Sequence, residues 1–158
     1  MDNSIGVMQG RLLRRYLNEY QAHPIGYWAE EFPVAKSYGL DCVEFILDYE
    51  QVENNPLLTK NGRREIKELV SSTKVEVKTV CADYFMEAPL YHQSKSPANE
   101  SKKILVQLLH AAQELGVRDV VIPCVEHSSI QQISSREIFM KQLEEMIPEA
   151  EQCGVNLS

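Results

Sequence analysis

Three stretches of the chain repeat one short pattern: YGLDCVEF at Gly39, LGVRDVVIP at Gly116 and CGVNLS at Gly154, each a glycine followed by an aliphatic or β-branched run. A glycine that accepts left-handed backbone closes a helix, and the apolar run after it begins a buried strand. STKVEVKTVCA repeats the pattern with residues 71–74 standing in for the glycine. With IGVMQG as the first strand, strands are expected to begin near residues 5, 41, 75, 118 and 155, at intervals of about 35 to 43 residues. One helix in each gap makes βαβα units, which require parallel strands and right-handed crossovers. The short apolar strands are expected to be buried on both faces.

The gaps carry the helical patterns this requires. SKKILVQLLHAAQEL sets Ile104, Leu105, Leu108, Ala112 and Leu115 on one stripe, with Lys102, Lys103, Gln107 and Glu114 mostly off it. SSREIFMKQLEEMIPEAEQ has Ser134 and Glu137 at capping-box spacing and is expected to bury Ile138, Leu143, Met146 and Ile147. Pro33 and Pro148 stand inside helical patterns, where each is expected to kink or shorten its helix.

Two architectures satisfy this order, an open doubly wound sheet or part of a (β/α)8 barrel. The open sheet needs a glycine-rich phosphate turn after strand one, and MQGRLLRRY offers one glycine; no Walker motif occurs either. The loops that follow the strands are long, and barrels build their sites from such loops. The closing AEQCGVNLS then reads as a helix ending at Gly154 and the start of strand five. The expectation is an α/β fold of parallel (β/α) units, the N-terminal half of a TIM barrel, forming one partial domain over residues 1–158 with about four βα units and the opening of the fifth strand.

Composition limits the partners. A formal charge of −7, with GRLLRR as the densest basic stretch, argues against nucleic acid and for a small molecule. No run of eighteen apolar residues occurs, and MDNSIGVMQGR carries an acid where a signal peptide needs bases, so no membrane is expected and the cytoplasm is the default location. Cys42, Cys81, Cys124 and Cys153 form no CxxC pair and read as buried small hydrophobes in a reducing compartment.

Following each strand outward gathers polar residues on one rim: Gln9 and Arg11, then Glu44 and Asp48, then Cys81, Asp83 and Tyr84, then Glu126 and His127. His23 and His92 fall in the same loops and read individually as structural, as does His110 within a helix. Each rim residue has a plainer alternative. Glu44, in CVEFILD, either lines a pocket or is a paired carboxylate, since an isolated one facing a barrel interior is costly. Asp83 is a ligand or an Asx cap; Glu126 and His127 are ligands or a solvated loop; Arg11 is an anion clamp or part of a solvated turn. GxSxG, HExxH and paired CxxC spacings are absent, so neither covalent catalysis nor a metal centre follows from spacing.

MQGRL, GLDCVEFILD, NPLLTKNGRREIKEL, VCADYFM and VVIPCVE together resemble the sugar phosphate isomerase/epimerase family of xylose isomerase-like TIM barrels. The resemblance spans essentially the whole chain. It implies a barrel that holds a divalent metal (Mn, Mg, Co or Zn) and moves protons on a ketose, aldose or related hydroxycarbonyl compound. In that family the acid/base glutamates and the metal-holding Asp and His lie on strands five to eight, which implies catalytic and metal positions beyond Ser158. This chain by itself is then expected to be inactive and to need no metal. What carries over is the pocket wall: Met8, Gln9, Arg11, Glu44, Cys81, Asp83, Tyr84, Cys124 and Glu126. Two alternatives accompany this reading. One is a non-catalytic half-barrel that pairs with itself or another chain through exposed edges, a homo-oligomer being expected. The other is the metal phosphodiesterase chemistry of the superfamily's endonuclease branch, which places metal-binding histidines near strands three and four, where this chain has Asp83, Tyr84, Cys124 and Glu126.

Overall fold

Five parallel strands, β1 (Gly6–Met8), β2 (Cys42–Ile46), β3 (Glu76–Cys81), β4 (Asp119–Val121) and β5 (Asn156–Leu157), pair in the order β1-β2-β3-β4-β5. In this computed structural model the described residues are 3–19, 21–91 and 95–158. Consecutive strands that are all parallel and all adjacent form the arc of a (β/α) barrel rather than a doubly wound sheet, whose strand order would reverse.

Helices α1 (Glu31–Ser37), α2 (Lys60–Thr73), α4 (Lys95–Leu115) and α5 (Ile133–Cys153) fill the gaps, and a single turn, α3 (Tyr84–Glu87), follows β3. The helix-to-strand closures are the ones the sequence repeats. Gly154 caps α5 at φ 67° and Lys74 caps α2 at φ 66°, so a lysine takes the left-handed backbone that glycine takes elsewhere. At the other end of α2, Thr59 Oγ1 accepts from the Gly62 N–H at 3.1 Å.

The core lies between sheet and helices. Val43, Phe45, Val77 and Val80 of the strands meet Phe32, Ile66, Leu105, Leu108 and Leu109 of the helices, all buried. The strands are not buried on both faces, however. Cys42 and Glu44 alternate with the fully buried Val43 and Phe45 and stay partly accessible, because their face looks into the barrel interior and no helix covers it. Residue 78 is skipped in the β2–β3 register, which pairs Val43 with Val77 and Glu44 with Thr79.

Other expectations are corrected by packing. α5 begins at Ile133 with Gln132 as its N-cap and no side-chain cap, so Ser134 and Glu137 lie inside the helix and form no capping box. Ile138, Leu143 and Met146 are half-buried, but Ile147 is exposed. Pro33 falls in the first turn of α1, where no helical hydrogen bond is lost, whereas α5 runs on past Pro148. Cys81 and Cys153 are buried, but Cys42 and Cys124 are only half-buried; all four are free thiols. None of the described helices is long and apolar enough to cross a membrane.

Candidate functional site

Parallel strands send the loops after β1, β2, β3 and β4 to one end of the sheet, and there the side chains of the first three loops join. Arg11 reaches Met8 Sδ at 4.0 Å and donates to Gln21 Oε1 at 3.5 Å. Gln21 Nε2 donates to Asp83 Oδ2 at 3.0 Å, and the Cys81 thiol donates to the other oxygen, Oδ1, at 3.0 Å. The result is a polar line from the end of β1 to the end of β3. Asp83 is therefore no Asx cap, since it opens α3 without a side-chain cap bond and turns both oxygens to the rim.

The loop carrying Arg11 and Gln21 is irregular, so it has to be held. Glu31, fully buried at the start of α1, accepts from the Gly10 N–H at 2.7 Å and the Leu12 N–H at 3.0 Å. Burial holds its carboxyl above the ordinary range, a rise that the backbone N–H bonds only partly offset. At the far end of the loop, Asp48 accepts from the His23 N–H at 2.7 Å. Gly10 has φ 84°, and a Cβ there would come within 2.6 Å of the Ala22 carbonyl, so the loop closes back on itself only at a glycine.

Beneath the rim, Gln9 is fully buried and works as a strut. Its Oε1 accepts from the Ile46 N–H at 3.0 Å and from His23 Nδ1 at 3.0 Å, and its Nε2 is a buried donor with no acceptor among the described residues. Because Oε1 is the acceptor, His23 carries its proton on Nδ1. Burial lowers the His23 pKa to about 4, so the ring is neutral, packed between Phe45 and Trp28. Asp48 moves the other way, up to about 6, first through burial and then through Asp83, Glu19 and Glu50 nearby. Residues of this loop and of the loop after β2, His23, Trp28, Asp48 and Asn55 among them, enclose a cavity of about 70 Å³. That holds waters but is well below the roughly 300 Å³ at which small-molecule pockets begin.

The remaining candidates are placed variously. Glu44 is half-buried on the interior face and close enough to help raise the Cys81 pKa. Cys81 is held well above the ordinary thiol range by burial first and Asp83 second, so it is a neutral hydrogen-bond donor and no nucleophile. Tyr84 is buried against Tyr49 and Phe85, in the core below the rim. Cys124 is half-buried after β4, and Glu126 is exposed at φ 50° in a short 3-10 turn. His127 Nε2 lies 2.9 Å from Glu87 Oε1, which ties that turn to α3. These last residues stand apart from the Arg11–Gln21–Asp83 line. His92 lies outside the described residues.

Neither Gln21 nor Glu31 stands out in the sequence. Gln21 sits in irregular backbone twelve positions past Gln9, where no period applies. Glu31 resembles any helical glutamate, and only its complete burial marks it.

A metal centre at this rim would need several free donors that converge. Among the described residues, the one convergence of three His, Cys, Asp or Glu donors is His110, Glu149 and Cys153, on the helices and not at the rim. Both Asp83 oxygens are engaged by protein donors, and so is Asp48 Oδ2. The described rim therefore does not by itself fit a divalent metal.

An arc of parallel βα units with a polar rim at the C-terminal ends of its strands is the architecture of a TIM-barrel protein. Residues 32–158 match the family described as xylose isomerase-like TIM barrel, and the chain belongs to that family. Among solved structures, D-psicose 3-epimerase from Clostridium cellulolyticum H10 superposes with TM-score 0.74 at 16% identity, over 98% of this chain and 51% of its own. The 3-keto-D-glucoside 4-epimerase of E. coli does so with TM-score 0.69 at 19% identity, over 99% and 55%. The IOLI protein, solved with a bound zinc atom, gives TM-score 0.69 at 15% identity, over 99% and 50%. The chain thus spans about half the length of these structures. No curated protein matches it.

Proposed function

We propose that this chain forms the substrate-recognition wall of a sugar isomerase or epimerase that transfers a proton at the carbon beside a carbonyl. The observation behind this is the line from Arg11 through Gln21 to Asp83 and Cys81. It presents a cation, an amide, a carboxylate and a neutral thiol side by side, a set that suits the alternating donors and acceptors of a polyol. Sugar epimerases among the structural neighbours support the same substrate class.

Proton transfer beside a carbonyl needs a free base within hydrogen-bond reach and a cation or donor for the enediolate oxygen. Asp83 is occupied on both oxygens and Cys81 is held neutral, so neither serves as that base. In this reading the chain binds and orients the sugar, and the acid/base pair and divalent metal belong to strands that complete the barrel. Saturation-transfer NMR with D-psicose or D-tagatose tests it. Millimolar binding that weakens about fivefold in Arg11→Ala, equivalent to ~1 kcal/mol, is expected for a lost hydrogen bond, with no solvent deuterium entering the sugar. Binding that is absent, or indifferent to Arg11 and Asp83, overturns the assignment.

A second reading, a non-catalytic half-barrel that self-associates, has its own support. Ile133, Met140 and Ile147 follow one another at seven-residue spacing along α5 and are 78%, 49% and 46% exposed, while among the described residues β1 and β5 each have one strand neighbour. Sedimentation of the wild type and of a Met140→Lys, Ile147→Lys double variant checks it. Association weakened in the variant supports this reading, and an 18.1 kDa monomer at every concentration removes it.

A further inference from the structure

At the end of the sheet opposite the rim, where helices finish and strands begin, α4 and α5 bring together three donors of different chemistry. His110 of α4 faces Glu149 and Cys153, which lie four residues apart and so share one face of α5. His110 Nε2 is 2.9 Å from Glu149 Oε1, and His110 Nδ1 is 3.8 Å from Cys153 Sγ. One ligand atom from each residue lies within 4.8 Å of both others.

We infer that His110, Glu149 and Cys153 form a binding site for a zinc-like divalent cation, pinning α4 to α5 on the outer face of the barrel. The site is independent of the sugar-binding wall and stands or falls separately.

The spacing supports this. Tetrahedral zinc with bonds of about 2.3 Å to sulfur and about 2.1 Å to nitrogen puts those two ligands about 3.6 Å apart, close to what His110 and Cys153 already show. Glu149 completes the set once its carboxylate leaves Nε2 for the ion, and at 31% exposure it has room to turn. A thiol, an imidazole and a carboxylate suit zinc or cobalt and not magnesium or calcium, which prefer oxygen alone.

The surroundings favour a built site. Cys153 is buried at 6% exposure, while the His110 side chain is 53% exposed, so the ion has a dry side and a solvent side from which water supplies a fourth ligand. The helices are braced above and below: Lys102 pairs with Glu145, and Gln113 Nε2 donates to the Gln152 carbonyl at 3.4 Å. The two helices are therefore held at this separation, and the Glu149 carboxylate is the donor that has to turn. Binding is an exchange without redox change, in which the Cys153 sulfur gives its proton to solvent and takes the cation.

The plainer account is an imidazole–carboxylate pair beside a buried cysteine, and cobalt distinguishes the two. Co²⁺ titrated into the whole chain with a phosphine reductant is expected to give a 1:1 near-ultraviolet thiolate-to-cobalt band and the visible bands of a tetrahedral ion. Zn²⁺ should displace it. Cys153→Ser should abolish the near-ultraviolet band, and His110→Ala should weaken cobalt binding at least about tenfold, with the fold verified by circular dichroism. Should Cys153→Ser fail to fold, His110→Ala and Glu149→Gln, both at accessible side chains, carry the test. The absence of any thiolate band in the wild type, or a band that persists unchanged through these substitutions, overturns the site.

Discussion

Gln21 Nε2 lies 3.0 Å from Asp83 Oδ2, a bond between residues 62 positions apart that joins the loop after β1 to the end of β3. The same Gln21 amide lies 3.9 Å from the Cys81 sulfur, and the bond is flanked by the Arg11 contact on one side and the Cys81 thiol on the other. Cutting it should loosen the rim while leaving the sheet intact. Gln21→Ala is expected to lose about 1 kcal/mol in urea unfolding. Asp83→Ala, which orphans both Gln21 and the Cys81 thiol, should lose more, and sugar binding should weaken in both variants.

Asp48 and His23 set opposing pH dependences. The Asp48 pKa is raised to about 6, so its contribution is fully present below the ordinary 3.8 and is lost as pH rises through 6. The His23 pKa is lowered to about 4, so its contribution is present above 6.5 and is lost as pH falls toward 4. Asp48→Asn keeps an acceptor for the His23 N–H but removes the buried charge. Melting curves should show the variant more stable than wild type at pH 8, with the gain vanishing by about pH 4. His23 resonances should titrate near pH 4 in the wild type.

Gly62 is inside α2, where alanine ordinarily adds about 1 kcal/mol of helix stability. Here a Cβ would lie 2.3 Å from Pro56 Cα and 2.5 Å from its carbonyl oxygen. Gly62→Ala should therefore destabilise by about 1–3 kcal/mol, read from the urea midpoint, because backbone cannot yield as a side chain does.

Lys74 holds φ 66° at the end of α2, a conformation strained by its Cβ. Lys74→Gly is expected to raise stability by roughly 0.5–1 kcal/mol and the melting temperature with it. No change or a loss would show that the lysine side chain compensates for the strain.

The strand starts near residues 41, 75, 118 and 155 are legible because each depends on local chemistry: a left-handed residue (Gly39, Lys74, Gly116, Gly154) closes a helix, and an apolar run follows directly. Lys74 shows the limit, since position and not residue type fixes the closure there. Burial along α5 was less legible. Ile147 fits the helical period as well as Met146 does, and only the placement of α4 and the sheet decides that Met146 packs and Ile147 does not.

The site divides the same way. Arg11, Cys81 and Asp83 could be named from their place at strand ends, since parallel strands send every such end to one rim. That Asp83 turns to Gln21 instead of capping its own helix, that Glu31 is a buried clamp, and that His110 meets Cys153 across two helices follow from contacts between residues 21 to 62 positions apart. The sequence by itself determined the order of strands and helices, because periodicity and turn residues act within a few positions. The tertiary structure alone decided which polar groups meet, because a hydrogen bond between distant segments depends on where the packed core brings them.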